Sequence, residues 1–126
     1  RAAHRDETAE DYVEAIAQLI EQTGTARVGD LANCMGVSHV TVTRIIGRLA
    51  KEGLLTKEPR KPIFLTDAGQ SLADQCRTRH EIVLAFLLAI GVDESQAQID
   101  AEGIEHHTSQ QTLGALAELT RTLRNR

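Results

Sequence analysis

The sequence predicts a mostly α chain, with an N-terminal winged helix-turn-helix domain over residues 1–70 followed by a second helical domain over residues 71–126. Three observations predict it. A short helix, a glycine turn and a serine-capped helix run in succession through residues 27–55. Two short β-prone runs around Pro59 and Pro62 come directly afterwards. Beyond them, apolar residues recur at helical spacing almost to the end of the chain.

The first helix is expected from about Glu7 to Gln22, with Thr8 as its N-cap and Gly24 as its stop. Tyr12, Val13, Ile16, Leu19 and Ile20 share its apolar side. Asp11 and Glu14, three apart, share the other, where an exposed acidic face is the competing reading.

Val28 to Met35 reads as a short helix with Leu31 and Ala32 inward. Gly36 stands where the chain must turn sharply, because glycine reaches positive φ cheaply. Ser38 then caps a helix to about Glu52, with Val42, Ile45, Ile46 and Leu49 apolar and Gly53 at its end. The exposed positions expected on this helix are Ser38, His39, Val40, Thr41, Thr43, Arg44, Arg48 and Lys51. Hydroxyls, an apolar group and arginine at a helix start suit the major-groove edges of double-stranded DNA. Later Arg and Lys suit phosphates. Leu54 to Glu58 and Ile63 to Leu65 form the expected wing, with Arg60 and Lys61 at its tip and prolines blunting the strand edges.

Thr66 is the expected cap of a long helix, Asp67 to Ile90, whose apolar stripe is Leu72, Cys76, Val83, Leu84, Leu87 and Leu88. His80 falls within that stripe, where a histidine needs carboxylates from another helix to act as a ligand. Gly91 ends the helix, and Asp93 with Gln96 opens the next in capping-box fashion. On that helix Glu102, Glu105 and His106 lie at i, i+3 and i+4, within one third of the circumference. Ala97, Ala101 and Ile104 are expected to pack inward. Two carboxylates and an imidazole on one face begin a cage for a divalent cation. Thr108 with Gln111 repeats the capping signal before a last helix bearing Leu113, Leu116, Ala117, Thr120 and Leu123. These later apolar surfaces exceed what a small winged helix can cover, which suggests a dimer interface.

Composition agrees. The net charge of −4 conceals a basic middle. Residues 26–66 carry Arg27, Arg44, Arg48, Lys51, Lys57, Arg60 and Lys61 against Asp30, Glu52 and Glu58, a net of +4, between flanks that are each −4. That pattern joins a polyanion-binding module to a cation-binding one. Aromatics, at 2%, are too few for a single-strand stacking platform. No apolar run approaches the ~20 residues that span a bilayer. No secretory signal opens the chain, so the expectation is a cytoplasmic protein without a membrane partner. Cys34 and Cys76 form no CxxC pair and are expected to be small buried residues in a reducing compartment.

The segments EDYVEAI, the winged-helix stretch, LTDAGQSLADQCRTRHE, FLLAIGVDE and AEGIEHH occur in an order that resembles the diphtheria-toxin-repressor (DtxR) family of metal-dependent transcriptional regulators, most of all its manganese-regulator branch. The resemblance covers about residues 7–110. It implies a helical metal-binding and dimerisation domain and a homodimer on a palindromic operator. It also implies Asp11, Glu14, His80, Glu102, Glu105 and His106 as ligands for one or two Mn²⁺ ions per chain. The iron-responsive branch places methionine at the position of Asp11 and cysteine at that of Glu105. Hard oxygen donors at both positions suit Mn²⁺, with Fe²⁺ as the alternative. The chain ends soon after the last helix, so no barrel-like C-terminal domain is expected. Three other readings stand beside this one: an iron sensor on the same fold, a winged-helix regulator of an organic ligand with idle carboxylates, and a metalloenzyme. The last is disfavoured, because no HExxH, no paired Glu-x-x-His and no nucleophile with a base appear. A redox sensor would need an exposed thiol in a basic setting, and both cysteines read as buried.

Overall fold

A computed structural model describes residues 6–126. Among them the order is α1 (Glu7–Thr23), α2 (Val28–Met35), α3 (His39–Lys51), β1 (Leu55–Thr56), β2 (Phe64–Leu65), α4 (Asp67–Ala89), α5 (Glu94–Glu105) and α6 (Gln110–Arg124). The chain divides into two compact units, Asp6–Asp74 and, among the described residues, Gln75–Arg126. The division falls inside α4, four residues beyond the expected boundary. No described helix is long and apolar enough to cross a membrane.

The N-terminal unit is built on one core. Ala9, Tyr12 and Ile16 of α1 meet Leu31 and Ala32 of α2, Val42, Ile46 and Leu49 of α3, Leu55 of β1, and Ile63. Local signals set its helix ends. The N-cap of α1 is Asp6, whose side chain accepts from the Ala9 N–H at 3.1 Å. The expected cap, Thr8, lies inside the helix. Gly24 and Gly36 adopt φ of 90° and 68° at the helix ends. Ser38 Oγ accepts from the Thr41 N–H at 3.1 Å and starts α3 as expected. Gly69, in the first turn of α4, is required by a close approach: a Cβ there would meet the Leu54 carbonyl oxygen at 1.9 Å. Thr66 caps α4 through the Gly69 N–H and donates to the Gly53 carbonyl.

The wing is shorter than expected. Only Leu55–Leu65 and Thr56–Phe64 pair, antiparallel. Pro59 and Pro62 lack amide donors, and Arg60 adopts φ 64°, so the ladder cannot extend through the tip. Ile63 pairs instead with Ala26 through a 2.8 Å bond.

Cys34 is exposed, against expectation; Cys76 is buried. The inward face of α2 is centred between Leu31 and Ala32, and Cys34 lies about 110° around the helix from that centre.

The C-terminal unit packs Val83 and Leu87 of α4 against Ala97 and Ala101 of α5 and Leu113 of α6. Asp93 caps α5 by accepting from the Gln96 N–H at 3.1 Å. Ser109, not Thr108, caps α6. The Thr108 hydroxyl turns back to the Ile104 carbonyl instead. Leu88, expected in the stripe of α4, is 37% exposed. Arg79 takes a buried place on that helix, and its Nη2 lies 3.4 Å from Cys76 Sγ.

Candidate metal centre and nucleic-acid interface

In the C-terminal unit, His80, Glu102 and Glu105 offer one nitrogen and two carboxylate oxygens that all lie within 4.8 Å of one another. The sequence dictates this locally. Ala97 and Ala101 are fully buried, and alanine lets α5 lie close to α4. One turn further along the same i, i+4 row stands Glu105, which is therefore carried inward to 1% exposure. Ile104, expected to pack inward, is 41% exposed instead. Ile104 lies to one side of the two alanines and Glu105 to the other, and the buried position falls to the carboxylate on the side where His80 stands.

Burying that carboxylate needs a partner. His80 Nδ1 lies 3.1 Å from Glu105 Oε1. The other ring nitrogen, Nε2, lies 3.1 Å from Gln98 Oε1 on α5, a neighbour that no sequence motif marked. Glu102 is exposed beside them. His106 follows Glu105 as the C-cap of α5, 6% exposed, and is not one of the three gathered ligands. Asp11 and Glu14 belong to the other unit, on α1, where both are half-buried. An imidazole with hard oxygens and no thiolate fits a borderline or hard divalent ion such as Mn²⁺ or Fe²⁺.

In the N-terminal unit, α3 presents Ser38, His39, Val40, Thr43, Arg44, Arg48 and Lys51 to solvent. Val40 is 79% exposed, which no packing requirement explains. Thr41 departs from expectation: it is half-buried, and its hydroxyl accepts from Ser38 Oγ at 3.0 Å. Arg60 and Lys61 are exposed at the wing tip, Lys61 Nζ being 3.6 Å from Glu58 Oε1. Arg48 is engaged at both ends of its guanidinium, by Asp6 at 2.8 Å and by Glu52 at 3.4 Å. Burial raises the Tyr12 phenol above its ordinary value, partly countered by the Arg44 charge.

Two family models match the chain in sequence order. The iron dependent repressor N-terminal DNA binding domain matches residues 6–63, and the iron dependent repressor metal binding and dimerisation domain matches residues 66–125. The chain belongs to this family. It is the family of the DtxR resemblance, and its members are transcriptional regulators rather than enzymes. The transcriptional regulator MntR of Escherichia coli O157:H7 is 48% identical over 120 residues, covering 95% of this chain and 77% of that protein. The HTH-type transcriptional regulator MntR of Lysinibacillus sphaericus is 39% identical over 114 residues, 90% of this chain and 82% of the relative. Among solved structures, a manganese-dependent transcriptional repressor in complex with manganese superposes with a TM-score of 0.81 at 27% identity, over 90% of this chain and 52% of the other. The present chain thus spans about half the length of that solved repressor.

Proposed function

We propose that this protein is a manganese-responsive DNA-binding repressor of metal-uptake genes, acting as a homodimer on a palindromic operator in the cytoplasm. The observation that carries the reading is the His80–Glu102–Glu105 cluster, in a chain whose other unit offers an unburied, hydroxyl- and arginine-bearing recognition helix.

We assign Asp11, Glu14 and His106 to the same cation site as the three gathered ligands. Asp11 and Glu14 lie three apart on α1, and both are half-buried, unusual for carboxylates that only solvate a surface. Without a cation, Asp11, Glu14, Glu102 and Glu105 repel one another when the two units approach. The bound ion would supply the positive charge that offsets this repulsion. Six such donors could hold one ion or a close pair. His80 and Glu105 fix one wall of the site, and α1 carries the other ligands on the unit that reads DNA.

The C-terminal unit exposes Leu88, Ile90, Ile99, Ile104 and Leu119, a set of apolar side chains that a twin subunit would cover. Two recognition helices must then stand about 34–36 Å apart, one turn of DNA. Metal and DNA each raise the other's affinity by one common factor.

The test is fluorescence anisotropy of a duplex selected from a random library in the presence of Mn²⁺. Binding should appear as Mn²⁺ is added and vanish with chelator. Metal-independent affinity would overturn the reading. Activation by Fe²⁺ but not Mn²⁺ would move it to the iron-responsive alternative.

A further inference from the structure

The Arg48 guanidinium lies between two carboxylates. Its Nη2 is 2.8 Å from Asp6 Oδ2, and its Nε is 3.4 Å from Glu52 Oε2. Asp6 has a second task. Its other oxygen, Oδ1, accepts from the Ala9 N–H and starts α1. One side chain therefore caps the helix that carries Asp11 and Glu14 and also grips the recognition helix.

By sequence alone, Arg48 is a phosphate contact. Its surroundings argue otherwise. One positive and two negative charges make the trio net negative, so its two carboxylates compete with an approaching phosphate for the one guanidinium. By contrast Arg44, one turn earlier, is exposed and lies outside this trio. The three side chains of the trio are between 44% and 49% exposed, so the pairs are solvated and can be broken by a competing anion.

We infer that Asp6 is an internal competitor for DNA phosphate: it withholds Arg48 from the backbone and so lowers the sequence-independent part of DNA affinity. The inference rests on the DNA-binding reading above. In physical terms the device keeps a metal-gated repressor from holding DNA by charge alone, because counterion release adds affinity without adding specificity.

Asp6→Asn tests this cleanly, since asparagine caps a helix about as well as aspartate while giving up the charge. The full chain with Mn²⁺ is titrated against the selected duplex and against an unrelated duplex, at several salt concentrations. The expected result is a gain of about two- to fivefold on both duplexes, the strength an exposed ion pair can withhold. The salt dependence should steepen by about 0.9, one phosphate contact. Arg48→Gln closes the cycle. It should change the wild-type slope little, and in the Asp6→Asn background it should abolish the gain. An unchanged or shallower slope in Asp6→Asn overturns the inference. So does a gain that survives Arg48→Gln, which would mean general charge rather than this pair. A loss of a full slope unit on Arg48→Gln alone would place Arg48 on phosphate already. Failure of the wild-type chain to bind any DNA would instead sink the function reading, and equal melting temperatures verify that the variants are folded.

Discussion

His80 Nδ1 lies 3.1 Å from Glu105 Oε1, and Glu105 is almost wholly removed from water. Burying a carboxylate costs desolvation energy, which the imidazole beside it offsets in part. Here the pair stands with Glu102 as the core of the candidate metal centre.

Gln98 completes the imidazole's environment. The ring faces an oxygen on either side, Glu105 Oε1 at Nδ1 and Gln98 Oε1 at Nε2, each at 3.1 Å. Gln98→Ala should lower Mn²⁺ affinity by about 10-fold or more, the usual cost of losing an outer partner of a ligating histidine. Gln98→Glu should retain it. Isothermal titration calorimetry distinguishes these outcomes, and unchanged affinity in Gln98→Ala would show that the ring needs no such support.

Metal preference follows donor type. Glu105→Cys together with Asp11→Met replaces two hard oxygens with thiolate and thioether. The DNA-binding response to Mn²⁺ should weaken more than the response to Fe²⁺ or Zn²⁺, because softer donors favour those ions. Equal weakening for all three would mean that these positions do not set selectivity.

Tyr12 is the sole tyrosine, and the chain has no tryptophan, so tyrosinate absorbance reports this one residue. Its phenol is raised above 10.0 by burial, against the opposing charge of Arg44. The neutral form is the one the fold favours. Tyr12 therefore contributes stability that is whole below pH 10.0 and is lost as pH rises through the raised folded-state value. The alkaline titration of the native protein should have its midpoint above that of the denatured chain. Arg44→Gln should move it further up. A native midpoint at or below the denatured one would contradict the burial argument.

Arg60 holds φ 64° at the wing tip, a conformation that costs a non-glycine residue about 1 kcal/mol or more. Arg60→Gly should relieve that strain, offset in part by the added freedom of the unfolded chain. The net gain should be at most about 1 kcal/mol in urea unfolding. If the side chain touches phosphate, the salt dependence of DNA binding should also become shallower by about one unit. Stability gained with DNA binding unchanged would make the wing tip a turn and nothing more.

Much of this fold is written in short local signals. Gly36 and Ser38 mark the turn and the start of α3, because positive φ and side-chain capping act within a few residues. The ends of α4 and α5 at Gly91 and Asp93 are legible for the same reason. Where two nearby residues compete for one cap, the sequence is ambiguous. Asp6 and Ser109 took the places expected for Thr8 and Thr108.

The site is legible as a set of residue types but not as a burial pattern. Helical periodicity assigns apolar residues inward and charged ones outward, so it sent Ile104 in and Glu105 out. The structure reverses both, since the buried row through Ala97 and Ala101 continues to Glu105 and a histidine from α4 meets it there. Gln98 and Arg79 carried no motif, and their roles come from packing alone. The Asp6–Arg48 contact joins positions 42 apart in sequence, beyond the reach of any local rule.

We propose that α1 supplies ligands to a cation bound at His80, Glu102 and Glu105. Mn²⁺ binding to the wild-type chain and to Glu14→Gln, read from the electron paramagnetic resonance signal of free Mn²⁺, tests it most directly. Binding should be at least about 10-fold weaker in the variant, as the loss of a charged ligand should cost no less than the loss of an outer partner. Identical binding isotherms for the two proteins would contradict it.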